Sequence, residues 1–154
     1  MHVNHRCHWY LTLTYCLFQG PIYALAFTPD GKYLVSAGDD ASIYVWDLAN
    51  GLSTNELKGH SDTIYSLAFS QDCAMLASAG MDGGIKVWDM DYILRNGSSL
   101  GSSFLRNSSS NGCNLFSRTN GDLIGSYSTK GSHVVRLKFS EGNLLLGAAV
   151  SDGK

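Results

Sequence analysis

Short apolar runs of strand length alternate with turn-forming clusters from Ile22 to Asp89. Ile22–Thr28 is a first run rich in β-branched and aromatic residues, bounded by Pro29-Asp30-Gly31. Proline and glycine stand there where a tight turn wants them. Tyr33–Ala37 and Ser42–Asp47 follow, separated by Asp39-Asp40-Ala41; Ser53–Lys58 is a fourth, more polar run after Asn50-Gly51. The pattern then starts again. Ile64–Ser70, Met75–Ala79 and Gly84–Asp89 repeat the first three runs, displaced by 42 positions. The first-strand runs are nearly continuous in apolar character, which predicts burial on both faces of a sheet. The second repeat has Gln71-Asp72-Cys73 at the first turn, a less favourable version of Pro29-Asp30-Gly31.

The displacement of 42 holds residue by residue. Ile22, Tyr23, Leu25, Ala26 and Phe27 fall on Ile64, Tyr65, Leu67, Ala68 and Phe69. Ser36-Ala37-Gly38 falls on Ser78-Ala79-Gly80, Asp40 on Asp82, and Ile43-Tyr44-Val45-Trp46-Asp47 on Ile85-Lys86-Val87-Trp88-Asp89. A period of about 40–45 residues closing on Trp-Asp resembles the WD40 repeat, and predicts an all-β chain forming part of a WD40 β-propeller. With 154 residues the chain is far short of the roughly 4–8 four-stranded blades of a closed propeller. The expected organisation is an atypical segment over 1–19, two repeats over 20–92, a Ser/Asn/Gly-rich disordered insertion over 93–121, and an incomplete closing blade over 122–154.

The closing region is read by the same patterning. Leu123–Tyr127 reads as an outer strand like Ser53–Lys58, His133–Ser140 as a first strand, and Asn143–Val150 as a second. The displacement has grown from 42 to 70, so about 28 residues are inserted. Asn96–Gly121 is too poor in hydrophobic residues to offset its ordering entropy. A blade ending after two strands fits closure by strands from another segment, which removes free edges. Two blades and a part of a third predict poor folding alone, or association through an open edge.

Residues 1–18 do not match the repeat: Gly59-His60 precedes the second first-strand, whereas Leu17-Phe18 stands at the corresponding place. Trp9–Phe18 is an apolar run after a weakly basic start, as in a signal peptide. A membrane span through Trp9–Phe27 is disfavoured by Gln19, Gly20 and Pro21 and by the strand-like second half. Translated non-coding sequence and an atypical strand are the other readings. His5, Cys7 and His8 could in principle bind a metal; a fortuitous cluster is the simpler account.

Composition narrows the chemistry. The formal charge is −2, which leaves no basic field for direct sequence-specific nucleic-acid binding. Cys7, Cys16, Cys73 and Cys113 are scattered without a Cys-x-x-Cys pair, so reduced thiols are expected rather than disulfides or zinc. No catalytic residues, cofactor site or metal site are assigned. Gly80–Gly84 lacks the Lys-Ser/Thr of a phosphate loop, and no Gly-x-Ser-x-Gly elbow supports a hydrolase. Tyr44 and Lys86 are read as exposed strand positions on a solvated face or a partner surface.

The WD40 resemblance implies instead a structural network of His60, Ser78, Asp82 and Trp88 within one blade. The logic is physical as well. A buried indole N–H needs an acceptor, a serine hydroxyl can accept it and donate onward, and a histidine can link that hydroxyl to a carboxylate. The first repeat keeps Ser36, Asp40 and Trp46 but lacks the histidine, so its network is expected to be incomplete.

A narrower resemblance rests on Gly20–Leu34, Glu56-Leu57-Lys58-Gly59-His60-Ser61-Asp62-Thr63, Ala79-Gly80-Met81-Asp82, Leu123–Tyr127 and Asn143–Leu146. These resemble the late blades of the TBP-associated factor 5 family and its SAGA paralog. The resemblance implies a non-catalytic nuclear scaffold in TFIID or a SAGA-type histone acetyltransferase complex. Its partners would be histone-fold TBP-associated factors and other subunits of those complexes, with no cofactor and no membrane. A different WD40 adaptor, such as a ubiquitin-ligase substrate receptor, is the alternative.

Overall fold

Antiparallel strands dominate the computed structural model, which describes residues 19–96, 122–129 and 131–151. The first blade is a four-stranded sheet in sequential order: β1 (Ile22–Phe27), β2 (Tyr33–Gly38), β3 (Ser42–Asp47) and β4 (Leu52–Lys58). The second comprises β5 (Ile64–Phe69), β6 (Met75–Gly80), β7 (Gly84–Asp89) and β8 (Leu123–Ser128). A two-stranded sheet of β9 (Ser132–Phe139) and β10 (Leu145–Ser151) follows. Registers repeat with the sequence period: Leu25 lies opposite Ser36 and Leu34 opposite Trp46, as Leu67 does Ser78 and Leu76 does Trp88.

Local chemistry sets the turns. At the end of β1, Thr28 Oγ1 donates to Asp30 Oδ1 (2.6 Å) and accepts from Tyr33 N–H (3.0 Å). At the end of β5, Ser70 Oγ donates to Asp72 Oδ1 (2.5 Å) and accepts from Met75 N–H (2.9 Å). Each hydroxyl holds its carboxylate below the ordinary pKa, helped by backbone N–H donors. Two left-handed positions recur in both repeats, and each repeat supplies glycine at only one of them. Gly31 (φ 70°) faces Cys73 (φ 62°) across the period, and Gly83 (φ 67°) faces Ala41 (φ 58°). A Cβ is disfavoured in that conformation. Cys73→Gly and Ala41→Gly are therefore each expected to stabilise the protein by about 1 kcal/mol, measured by chemical denaturation.

Blades pack face to face. The trailing face of the first blade supplies Val35, Ala37, Ile43, Val45 and Leu57. The leading face of the second supplies Ile64, Leu76 and Trp88, with Leu67 and Phe69 packed against the same core. A smaller cluster joins Ala77 and Ala79 of the second blade to Val134 and Leu137 of β9.

Three sequence expectations are corrected. Ile93–Asn96, assigned to the insertion, lies in a helix, α1 (Met90–Asn96). Asp89 caps it by accepting from Tyr92 N–H (2.9 Å), and Met90 and Ile93 are buried in the main core. A helix of two turns is too short to show a periodicity. Second, the outer strand read at Leu123–Tyr127 is β8 and completes the second blade as β4 does the first, so only the boundary of the closing sheet moves from Asp122 to beyond β8; Asp89 N–H meets Asp122 O (2.7 Å) where the chain returns. Third, β1 is not buried on both faces: Leu25 is 61% exposed and Phe27 62%. Their counterparts Leu67 and Phe69 are covered by the first blade, whereas nothing among the described residues precedes β1 to the same extent. Residues 1–18, with the metal-ligand and signal-peptide readings made on them, and residues 97–121 lie outside the described residues.

Candidate functional site

The second blade brings His60, Ser78, Asp82 and Trp88 together from three places in the chain. Trp88 stands on β7, Ser78 on β6, Asp82 in the turn between them, and His60 just ahead of β5. The indole Nε1–H of Trp88 donates to Ser78 Oγ at 2.8 Å. His60 Nε2 lies 2.8 Å from the same oxygen, and His60 Nδ1 lies 2.9 Å from Asp82 Oδ2. One proton arrangement satisfies all four groups. Ser78 accepts from the indole and donates to Nε2, while Nδ1–H donates to Asp82.

The electrostatics agree with a neutral imidazole. Burial, the largest effect, holds His60 below its ordinary pKa, against the pull of Asp82 upward. Burial would raise Asp82, but N–H donors from Gly84 and Ser61 and the His60 ring bring its carboxyl below the usual range. The sign of the pH dependence follows. Below the unfolded histidine value of 6.5 the unfolded chain takes up a proton that the folded chain refuses. Stability is then lost as pH falls from 6.5 toward the depressed folded value. Protonation of Asp82 removes more below 3.8. Denaturant titrations between pH 7.5 and 5 (about the range of histidine titration) are expected to show this loss, and His60→Gln to flatten it.

The connectivity matches that of a Ser-His-Asp catalytic triad, and the surroundings do not. Ser78 is fully buried, and its oxygen already accepts a hydrogen bond from a buried indole. A hydroxyl so placed offers no face to a substrate. The group's effect is on stability: His60→Ala leaves the Ser78 hydroxyl proton without its acceptor and Asp82 without one of its donors, and is expected to cost about 2–4 kcal/mol in denaturant unfolding.

The first blade holds the matching residues differently. Trp46 Nε1–H donates to Ser36 Oγ at 2.7 Å. Asp40 accepts instead from Ser42 N–H (3.1 Å) and from the Tyr44 hydroxyl (3.1 Å). The position equivalent to His60 is Phe18, which has no hydrogen-bonding side chain and lies outside the described residues. Tyr44 is not the exposed strand residue expected of it. It is 6% exposed, with its hydroxyl between Asp40 and Glu56. Burial, then repulsion by those two carboxylates, pushes its pKa up to about 12. Absorbance titration is expected to show one tyrosine ionising near pH 12, absent in Tyr44→Phe. Lys86, its counterpart, is half-buried and donates from Nζ to Ser126 Oγ on β8 (2.9 Å).

Sequence reasoning missed two contacts that join blades. Thr63 Oγ1 donates to Asp39 Oδ1 (3.0 Å) between the first two blades. Ser66 Oγ accepts from Leu137 N–H (2.8 Å) between β5 and β9. Neither residue belongs to a local motif; only its position at the start of β5 or within it gives it a neighbour. Among the described residues no group of three or more metal-ligating side chains occurs, and no helix is long and apolar enough to cross a membrane.

Repeated four-stranded sheets stacked face to face, each with a strand serine under a tryptophan, define a propeller-type repeat protein. The family profile "WD domain, G-beta repeat" matches residues 11–47 and 51–89, so the chain carries WD40 repeats. The first match reaches back to residue 11, beyond the boundary drawn from the internal repeat. A solved structure, "Crystal structure of RRP9 WD40 repeats", superposes with a TM-score of 0.64 at 21% identity, covering 84% of this chain and 33% of that one. That likeness establishes the fold. WD repeat-containing protein 36 of Homo sapiens is 54% identical over 33 residues, 21% of this chain and 4% of its own length. The U3 small nucleolar RNA-associated protein 18 homolog of Arabidopsis thaliana is 55% identical over 29 residues, 19% of this chain and 5% of its own. The chain thus spans a small part of these relatives. Its WD40 repeats belong to a fold class that is generally non-catalytic.

Proposed function

We propose that this chain is part of a scaffold subunit of TFIID or of a SAGA-type histone acetyltransferase complex, acting in the nucleus through histone-fold TBP-associated factors and neighbouring subunits. The observation that carries the reading is the Glu56–Thr63 stretch together with the Leu123–Tyr127 and Asn143–Leu146 strands, which resemble the TBP-associated factor 5 branch. The structure supports a purely structural use of the first of these. Glu56 and Lys58 form an ion pair on β4 at 3.1 Å, and His60 anchors the second blade from within. The nucleolar name of the Arabidopsis relative is compatible with a nuclear location. Affinity purification of the tagged full-length gene product tests the reading: TBP-associated and acetyltransferase subunits are expected. Recovery of cullin-ligase subunits instead would replace it with the ubiquitin-ligase adaptor reading.

A further inference from the structure

We propose that Tyr44 holds the turn carboxylate of the first blade as His60 holds that of the second, and that the two blades therefore answer mild acid differently: the second loosens while the first keeps its bonds. The inference does not depend on which complex the protein serves.

Asp40 and Asp82 stand at the same place in successive repeats and are bonded alike. Oδ1 of each accepts the backbone N–H two residues on, from Ser42 at 3.1 Å and from Gly84 at 2.9 Å. Oδ2 of each meets a side-chain donor. For Asp82 it is His60 Nδ1 at 2.9 Å; for Asp40 it is the Tyr44 hydroxyl at 3.1 Å. An imidazole in one blade and a phenol in the other thus serve the same acceptor atom. The phenol comes from β3 itself, whereas the imidazole comes from the segment ahead of β5.

The surroundings leave the phenol proton to Asp40. Glu56, opposite Tyr44 on β4, is farther from the hydroxyl at 3.5 Å. Its Oε1 already accepts from Ser42 Oγ (3.2 Å) and pairs with Lys58 Nζ (3.1 Å). In the second blade the corresponding cross-strand pair is Lys86 and Ser126, bonded to each other at 2.9 Å. A lysine stands there in place of the phenol, and the donor to Asp82 is the histidine.

The two donors differ in what acid does to them. The charged groups facing His60 are Asp82 from the turn and Lys86 from β7; those facing Tyr44 are Asp40 from the turn and Glu56 from β4. A proton on the imidazole turns Nε2 from acceptor to donor, so the Ser78 hydroxyl proton loses its acceptor beneath Trp88. A phenol is already protonated throughout that range, and burial raises Tyr44 further. Its bond to Asp40 is unchanged where the imidazole titrates.

Exchange of the two indole Nε1–H groups in the full chain, followed from about pH 7.5 to 5 and scaled at each pH to free indole, tests this. The protection of Trp88 is expected to fall with pH while that of Trp46 holds. His60→Gln is expected to flatten the Trp88 profile and leave that of Trp46 as it was. Denaturant titration supplies a second arm. Tyr44→Phe is expected to lower the folding constant about tenfold, by the same factor across that pH range, and by a smaller factor in an Asp40→Ala background. Should Asp40→Ala lose its fold, the wild-type exchange profiles decide. Equal falls of both indoles in acid overturn the proposal. So does a Tyr44→Phe effect as large without the Asp40 carboxylate as with it.

Discussion

Trp88→Ala is expected to unfold the second blade. The side chain is 1% exposed and sits in the main core with Val35, Ile43, Ile64 and Met90. Removing a buried aromatic ring typically costs about 3–5 kcal/mol. Here the loss includes the donor that Ser78 accepts from, which loosens the hydroxyl that His60 relies on. Natural domains are stable by only about 5–15 kcal/mol, so such a loss is a large share of the whole. Far-UV circular dichroism in denaturant checks the result. Trp46→Ala is expected to cost less, because the leading face of its own blade leaves Leu25 and Phe27 in solvent.

Gly80→Ala is the second large effect, and it acts through backbone alone. A Cβ at Gly80 would lie 2.1 Å from the carbonyl oxygen of Thr63 and 2.9 Å from Ile64 Cα. That oxygen accepts from Met81 N–H at 2.8 Å, so it cannot retreat without breaking the link between the β5 and β6 ends. Neither atom belongs to a side chain that could turn aside. Overpacking of this kind costs typically 1–3 kcal/mol; with only backbone in the way the expected cost is about 3 kcal/mol or more. Gly38 repeats the geometry at 2.1 Å from Pro21 O, and Gly38→Ala is expected to do the same to the first blade. Gly142→Ala is the control, since a Cβ there meets nothing within 4 Å. Equal denaturation midpoints for Gly80→Ala and Gly142→Ala would contradict the packing described.

The strands were legible because a chain that repeats itself reports each strand twice. The Ser-Ala-Gly and Trp-Asp pairs fix the register of β2 on β3 and of β6 on β7, and the structure reproduces it residue for residue. The four residues around His60 were singled out through the WD40 resemblance, and the structure places them within hydrogen-bonding distance of one another. What the pattern could not give was context. Leu25 and Leu67 hold the same place in successive repeats, and only the blade packed beside it makes Leu67 covered where Leu25 is exposed. Tyr44 reads as an outward strand position, yet Asp40 and Glu56 draw its hydroxyl inward. Helix α1 is carried by one cap and two buried apolar side chains, too few for a periodic signal. The outer-strand character of β8 was legible at Leu123–Tyr127, but the blade boundary was drawn before it because the insertion separates it from β7 in the chain.

Exchange of the indole Nε1–H groups of Trp46 and Trp88 with deuterated solvent, assigned by Trp46→Phe and Trp88→Phe, tests the twofold blade most directly. Each indole is bonded to a serine one strand away, at 2.7 Å and 2.8 Å. Both are expected to exchange far more slowly than free indole, with Trp88, backed by His60, the slower of the two. Exchange of both at the rate of free indole would contradict the account.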